Sequence, residues 1–345
     1  MIDYIIFAVI FKKMYQSVNF HGKEDLSQFS FLVTGCAGFI GSHLAEYLLQ
    51  HNAKLVRGMD NYLTGLKSNI DLLKKYPNFE FHEADICDAN ACKNACDGID
   101  FVTHQAALGS VPRSIKNPLH SHQVNVDGFL NMLIASRDAN VKRFLFASSS
   151  SVYGDSVDLP KVESKIGKPL SPYAVTKLSN ELYADVFAKN YSMEIIGFRY
   201  FNVFGPRQDP NGVYAAVIPK FIASLLKKEN PVIDGDGLQT RDFTFVENVV
   251  QVNIKAFFAK KTDCTKRIYN VAVGANFSIL EMYKDMIEIL GLSFQPQHTE
   301  TRKGDIRNSL ADISNAKNYL DYHPTVTFKE GLNRTVQYFK TIYSN

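Results

Sequence analysis

The sequence predicts an α/β fold: a doubly wound parallel sheet followed by a smaller C-terminal α/β lobe. Three observations carry this. Short apolar runs of strand length alternate with amphipathic helical stretches from Phe29 to Asn202, without internal repeats. The first run passes straight into a glycine-rich turn and a helix. From Val203 onward the pattern shifts to longer loops and isolated helices. The expected organisation is an extension over residues 1–28, a sheet unit over 29–202 to which some later segments return, and a second lobe mainly over 203–345.

The run from Phe29 to Thr34 suits one buried strand, and the helix behind it continues through Leu48 and Leu49. Between them stand Gly35, Gly38 and Gly41, with Phe39 and Ile40 at the helix start. One glycine permits a tight turn, one lets the backbone approach a pyrophosphate, and one lets helix pack close to strand. The helix-start amides and the positive end of the dipole then face the phosphates. A turn that merely needs glycine would look alike, so the neighbours decide. A second strand, Lys54 to Asp60, ends in a carboxylate placed to grip the adenosine ribose hydroxyls. That charge repels the extra phosphate of NADP, so NAD is the expected cofactor.

Asn61 to Gly65 is turn-rich and can fold over the adenosine. Phe79 to His82 alternates like a strand and delivers Asp85 and Ile86 at its end, where they can flank the adenine edge. Phe101 to His104 is a further strand, followed by Gln105, Ala106, Ala107 and Gly109. Small residues at such a carboxyl end leave room for a cofactor to pass. A long helical pattern from Leu119 to Arg137 carries a polar intruder, Asn125. Phe144 to Ala147 forms the next strand and ends in four serines, Ser148 to Ser151, which place hydroxyls beside the nicotinamide.

Pro172 is placed to start a helix, which puts Tyr173 and Lys177 one turn apart on one face. A surface Tyr/Lys pair is the commoner occurrence. Its place after a hydroxyl-rich strand end, downstream of a nucleotide fold, argues for chemistry. Free tyrosine has a pKa near 10, and lowering it by about 3 units takes roughly 4 kcal/mol. An ammonium one turn away and a positive nicotinamide ring favour the phenolate. Ser149 would hold a substrate hydroxyl or carbonyl while Tyr173 moves its proton, which reads as alcohol oxidation by hydride transfer.

Bulk properties exclude several classes. A chain of 345 residues with 46% hydrophobic and 21% charged residues is ordinary for a globular protein. A net charge of +3, evenly spread, does not suit a nucleic-acid partner. The five cysteines, Cys36, Cys87, Cys92, Cys96 and Cys264, have no metal-site spacing and read as free thiols of a reducing cytoplasm. The apolar run Tyr4 to Phe11 is too short for a membrane span, which takes about 20 residues, and it lacks a secretory signal's basic front end. A packing extension, a peripheral contact and a start at Met14 all remain open for it.

With these residues assembled, the chain resembles the extended short-chain dehydrogenase/reductases. More narrowly, it is similar to the UDP-galactose 4-epimerase family, and closest to the bacterial branch acting on UDP-N-acetylhexosamines. The motifs are Gly35 to Gly41, the serine run with Val152, Tyr153 and Gly154, Tyr173 to Lys177, and Arg199 to Asn202. His104 to Arg113 and Arg199 to Gly212 are longer matches to that branch. The resemblance spans residues 28 to 345 and implies a Rossmann-type sheet.

By position, the resemblance makes Tyr173 the base and Lys177 its partner. Ser149 becomes the hydroxyl nearest O4, with Ser151 in support and Ser150 among the substrate contacts. Asp60, Asn61, Asp85, Ile86, Gln105, Asn125 and Tyr200 join the NAD site. Asn202 falls near the UDP phosphates, and Ala216 and Val217 near the nucleotide. Gly109 departs from the lysine of galactose epimerases proper. Arg241 and Arg302 are expected to clamp the diphosphate, because a guanidinium fork offers paired donors with fixed charge. Asp305 is expected on a uridine ribose hydroxyl. Ser309 replaces the bulky tyrosine of galactose-type enzymes and leaves room for an N-acetyl group.

The implied reaction is reversible 4-epimerisation of UDP-N-acetylglucosamine to UDP-N-acetylgalactosamine through a 4-keto sugar, in service of surface polysaccharide precursors. NAD is tightly held and not consumed. A homodimer pairing helices near residues 120–138 and 173–190 is implied, with no stable membrane insertion and a cytoplasmic location. A 4-epimerase of UDP-N-acetylhexosaminuronic acids and a non-catalytic NAD-binding scaffold are the rivals. A 4,6-dehydratase would carry Asp-Glu where Ser150 and Ser151 stand.

Overall fold

The computed structural model describes residues 14–212, 215–260, 267–300 and 307–343. The first strand, β1 (Ser30–Thr34), is buried along its whole length and leads through the glycine turn into α1 (Phe39–Gln50). Then follow β2 (Leu55–Asp60), α2 (Lys67–Leu73), β3 (Phe79–Glu83), α3 (Ala89–Cys96) and β4 (Phe101–His104). Asp88 caps α3 by accepting the amides of Asn90 and Ala91. Two short helices, α4 (Val111–Lys116) and α5 (Pro118–His122), open on Ser110 and Asn117 as caps.

The single helix expected from Leu119 to Arg137 runs without a gap, but with a change of winding inside it. A π turn over Gln123–Asp127 separates α5 from α6 (Gly128–Asp138). Such turns gather at functional sites, and this one carries Asn125. β5 (Arg143–Ser149), α7 (Pro172–Tyr191) and β6 (Ile195–Tyr200) complete the alternation. The second lobe holds β7 (Val203–Phe204), α8 (Val217–Leu226), β8 (Val232–Asp234), β9 (Thr240–Arg241) and β10 (Thr244–Phe245). α9 (Val246–Phe258) and β11 (Ile268–Val271) come back to the sheet. β12 (Phe277–Ser278), α10 (Ile279–Leu290), β13 (Gln297–Thr299), α11 (Ser314–Leu320) and α12 (Phe328–Tyr343) finish the described chain.

The main sheet has the order β11-β6-β5-β4-β1-β2-β3, every pairing parallel. This is the Rossmann-type doubly wound fold that the alternation predicts, with its order reversing beside β1. Phe31, Phe101 and Phe257 pack together on one face, and Phe129, Phe144 and Phe146 on the other. Each such ring contributes about 1.5–3 kcal/mol by leaving water. A third core, around Phe204, Phe243 and Phe328, belongs to the second lobe.

Residues 1–13, with the apolar run Tyr4 to Phe11, lie outside the described residues. From Met14 the extension packs onto α1. Tyr15 is fully buried, with its hydroxyl 2.7 Å from His43 Nδ1. Phe20 stacks on Tyr47 and donates its amide to that residue's hydroxyl at 2.7 Å. Cys36, Cys92 and Cys96 are buried free thiols and Cys87 an exposed one, while Cys264 lies outside the described residues. Among the described residues, no helix is long and apolar enough to cross a membrane.

Candidate active site

A cavity of about 390 Å³ opens at the carboxyl ends of β1, β2, β4 and β5. Its floor is the glycine turn. Gly35 sits at φ +68°, and a Cβ there would stand 2.7 Å from the Ala106 amide nitrogen. Gly38, Phe39, Ile40 and Gly41 line the same wall, so the α1 amides open into the cavity. Asp60 and Asn61 stand at one end, next to Asp85 and Ile86. Asp60 also holds the turn: its Oδ2 accepts the Ala37 amide at 2.9 Å and its Oδ1 the Tyr62 amide at 2.8 Å. Burial pushes its carboxyl above the ordinary range. Asn61 donates to Asp85 Oδ2 at 2.8 Å, and the Cys87 amide donates to Asp85 Oδ1 at 2.8 Å. These two carboxylates are arranged as acceptors for hydroxyl or amino groups.

Gly65 lies behind the wall, where a Cβ would press within 2.5 Å of Ala37 Cβ. Gln105, Ala106, Ala107 and Gly109 line the middle of the cavity. A Cβ on Gly109 would meet nothing within 4 Å, so the space there admits a side chain. Gln105 donates to Thr103 Oγ1 at 2.8 Å and more weakly to the Tyr200 hydroxyl at 3.3 Å. Its buried Oε1 has no protein partner and is aimed at a donor from a ligand. Asn125 is placed differently from expectation. Its carboxamide accepts the Leu108 amide at 2.7 Å and donates to Leu108 O and Thr176 Oγ1, so it braces the wall from behind.

At the far end Ser149, Tyr173, Lys177 and Tyr200 converge. Ser171 caps α7 by accepting the Ala174 amide at 3.1 Å, and Ser114 Oγ accepts the Tyr173 amide at 3.0 Å. The Tyr173 phenol is pushed up by burial and pulled down less by its hydrogen bond with Ser149. Lys177 is fully enclosed, and burial lowers its amine to about 8 against the pull of Glu181. Its Nζ donates to Ala147 O at 2.8 Å and stands 5.9 Å from the Tyr173 ring centre. The protein groups by themselves therefore raise the phenol, and the expected lowering also draws on the positive nicotinamide ring. Ser150 begins the short turn after β5, and the buried Ser151 hydroxyl has no protein partner. A phenol, a hydroxyl and a buried amine at the end of a dinucleotide-shaped groove can move a proton on and off an alcohol.

A second cavity of about 270 Å³ lies in the other lobe and brings together Asn202, Val217 and Arg241. Ala216 is the exposed cap residue of α8, while its neighbours Ala215 and Val217 form the wall. Asn202, at φ +33°, donates to Asp242 O at 3.1 Å. Arg241 donates to Thr240 O at 2.8 Å. Ser309 is buried, and its amide donates to the same Thr240 oxygen at 3.2 Å. Arg302 and Asp305 lie outside the described residues. Lys220, Phe221, Gln239 and Phe243 also line this cavity and escaped the sequence reading. Lys220 follows Val217 by one turn and Gln239 precedes Arg241 by one strand repeat, so periodicity was the available signal.

His104 makes an acid-sensitive contact beneath the site. It is buried, lies 2.9 Å from Thr34 Oγ1 and stacks on Phe144; burial first, and Lys177 second, lower its pKa to about 3. An unfolded chain takes up a proton near pH 6.5 that the folded chain refuses, so stability falls as pH drops from about 6.5 toward 3. Between pH 6.5 and 5 this is roughly 2 kcal/mol, at about 1.4 kcal/mol per unit. Urea unfolding of His104→Gln at pH 7 and pH 5 should show that increment missing from its pH dependence. An unchanged slope would refute the assignment.

Residues 31–272 match the model of the NAD dependent epimerase/dehydratase family. A protein named putative UDP-glucose 4-epimerase from Methanocaldococcus jannaschii is 36% identical over 311 residues, covering 90% of this chain and 98% of its own. The UDP-N-acetylglucosamine 4-epimerase of Methanobrevibacter ruminantium M1, solved with UDP-N-acetylmuramic acid, is 39% identical with a TM-score of 0.86. The match covers 91% of this chain and 99% of that one. The UDP-glucuronic acid 4-epimerase of Bacillus cereus, solved with UDP-glucuronic acid and NAD, is 33% identical with a TM-score of 0.83, over 91% and 100% of the two chains.

Proposed function

The chain belongs to the NAD dependent epimerase/dehydratase family, and we propose that it interconverts UDP-N-acetylglucosamine and UDP-N-acetylgalactosamine through a 4-keto sugar. NAD-dependent 4-epimerisation of a UDP-sugar is its activity; the acetylated hexose is our assignment. Ser309 carries that assignment. Its backbone is tied to Thr240 beside Arg241, and by the resemblance a small side chain at this position would leave room for a 2-acetamido group.

The cavity fits NAD: the glycine cradle admits backbone-close phosphates, two carboxylates face the adenosine end, and the orphaned Gln105 Oε1 awaits a donor. Bound there, NAD would supply the hydride acceptor and donor for the C4 hydrogen and a positive charge to the site. Ser149 holds the sugar O4 and Tyr173 takes its proton. Lys177 would place a positive charge 5.9 Å from the Tyr173 ring centre, where it favours the phenolate. Arg241, Asn202 and Val217 hold the nucleotide diphosphate, so the hexose stays loose enough to turn and present its other face. Tyr173 then returns the proton. Val175, Leu182 and Val186 form an exposed apolar stripe on α7, and this supports a homodimer through that helix.

Incubation of the purified protein with UDP-N-acetylglucosamine and no added cofactor, read by proton NMR, tests the reading. Parallel samples of UDP-glucose and of the acetylated uronic acid identify any other substrate. Turnover of the non-acetylated sugar alone would overturn the assignment. Ser309→Tyr should lower kcat/KM for the acetylated sugar about 100-fold and leave UDP-glucose turnover within a few fold, since pocket size discriminates by about 10–200-fold.

A further inference from the structure

On the buried side of α7, Tyr173, Lys177 and Glu181 follow one another at intervals of one turn. Glu181 is 7% exposed, yet it touches no solvent-facing cation. Its partner is Arg199 on β6, 4% exposed, which donates Nε to Oε1 at 2.9 Å and Nη2 to Oε2 at 2.7 Å. Ser148 donates its hydroxyl to the same Oε1 at 2.5 Å. Arg199 is itself seated: Nη1 donates to Glu163 O at 3.1 Å and the guanidinium lies over the Tyr153 ring at 4.8 Å. Ser148 and Arg199 are register partners across β5 and β6, so the carboxylate pins α7 to two strand ends at once.

The three residues at that strand end divide the work. Ala147 O receives the Lys177 amine, Ser148 reaches Glu181, and Ser149 meets Tyr173. We propose that Glu181 is a positioning residue for the epimerisation, holding the charge of Lys177 and the strand end from which Ser149 projects. This rests on the roles of Tyr173 and Lys177 given above.

The groups facing Lys177 are few. His104 on β4 is neutral, Tyr173 and Tyr200 carry hydroxyls, and Arg199 on β6 has the same sign as the lysine. Glu181 is the anion of the cluster, and it opposes the burial that strips the lysine of its proton. A buried ion pair is a poor stabiliser on balance, because desolvation offsets most of the attraction. Keeping one beside the catalytic helix makes physical sense if its charge is used.

The test compares holoprotein as purified, wild type against Glu181→Gln, over pH 6–10 with whichever UDP-hexose the wild type epimerises. The amide can keep a hydrogen bond to Arg199 but carries no charge. Without that charge, Lys177 loses its proton at lower pH and the phenolate loses its partner. The alkaline limb of kcat should move down by about one pH unit, with kcat about fivefold lower at pH 8. KM and NAD content should stay within twofold. Should Glu181→Gln strand Arg199 and misfold, Glu181→Gln/Arg199→Gln removes both charges; the lost guanidinium offsets part of the effect, so the limb should move in the same direction by less. A purely structural role would lower the melting temperature and leave the limb in place; an unmoved limb in the folded variant overturns the proposal. Wild-type inactivity on every UDP-hexose would instead refute the proposed function.

Discussion

Tyr173→Phe should retain NAD and fold normally, yet turn over its UDP-sugar about 10³-fold more slowly. The ring fills the same buried space, so packing is kept. What disappears is the group that meets Ser149 at the cavity end and can exchange the O4 proton. Positioned acid–base groups are worth about 10²–10⁴ in rate. Lys177 does not substitute, because its amine is committed to Ala147 O and sits beside the ring rather than at its hydroxyl. KM should change little, since the residues proposed to hold the diphosphate line the other cavity. Single-turnover NMR with a matched absorbance measurement of bound NAD checks both halves; a kcat within threefold of wild type would sink the mechanism.

Gly41→Ala should yield protein without dinucleotide and therefore without activity. A Cβ at this position would lie 2.2 Å from Gly35 O, 2.7 Å from Gly35 C and 3.0 Å from Cys36 Cα. All three are backbone atoms, so no side chain can swing aside. Relief requires α1 to back away from the turn, and the amides that should meet the pyrophosphate move with it. Because the glycine turn is also tied to Asp60, the ribose end shifts too. Release of NAD on mild denaturation, followed by absorbance at 260 nm, gives the readout. Full cofactor content in the variant would show that the helix start is not the phosphate site.

Much of this architecture was legible because strand and helix periods are local. β1, β2, β3, β4 and β5 fall within a residue or two of their apolar runs, and the glycine turn lies where its spacing indicates. Asn125 was legible as an odd residue but not in its job, since its partners Leu108 and Thr176 lie 17 and 51 residues away. The π turn around it has no periodic signature that distinguishes it from α helix. Glu181 and Arg199 were hidden for the same reason: charged side chains read as surface until a partner across the sheet is known. The enclosure of Tyr173 also escaped, because helix spacing reports the neighbouring charge and says nothing of burial.

The thread of the backbone between the two lobes has a mechanical consequence. The chain departs after β6, returns as α9 and β11 to extend the same sheet, and departs again. Asp242 rivets the crossing by accepting the amides of Val273, Gly274 and Ala311. The second lobe is therefore joined to the sheet by several passes of backbone rather than by one linker. The proposed turnover needs something to pivot through half a revolution, and a frame stitched this way suits a pivot made by the small molecule inside it.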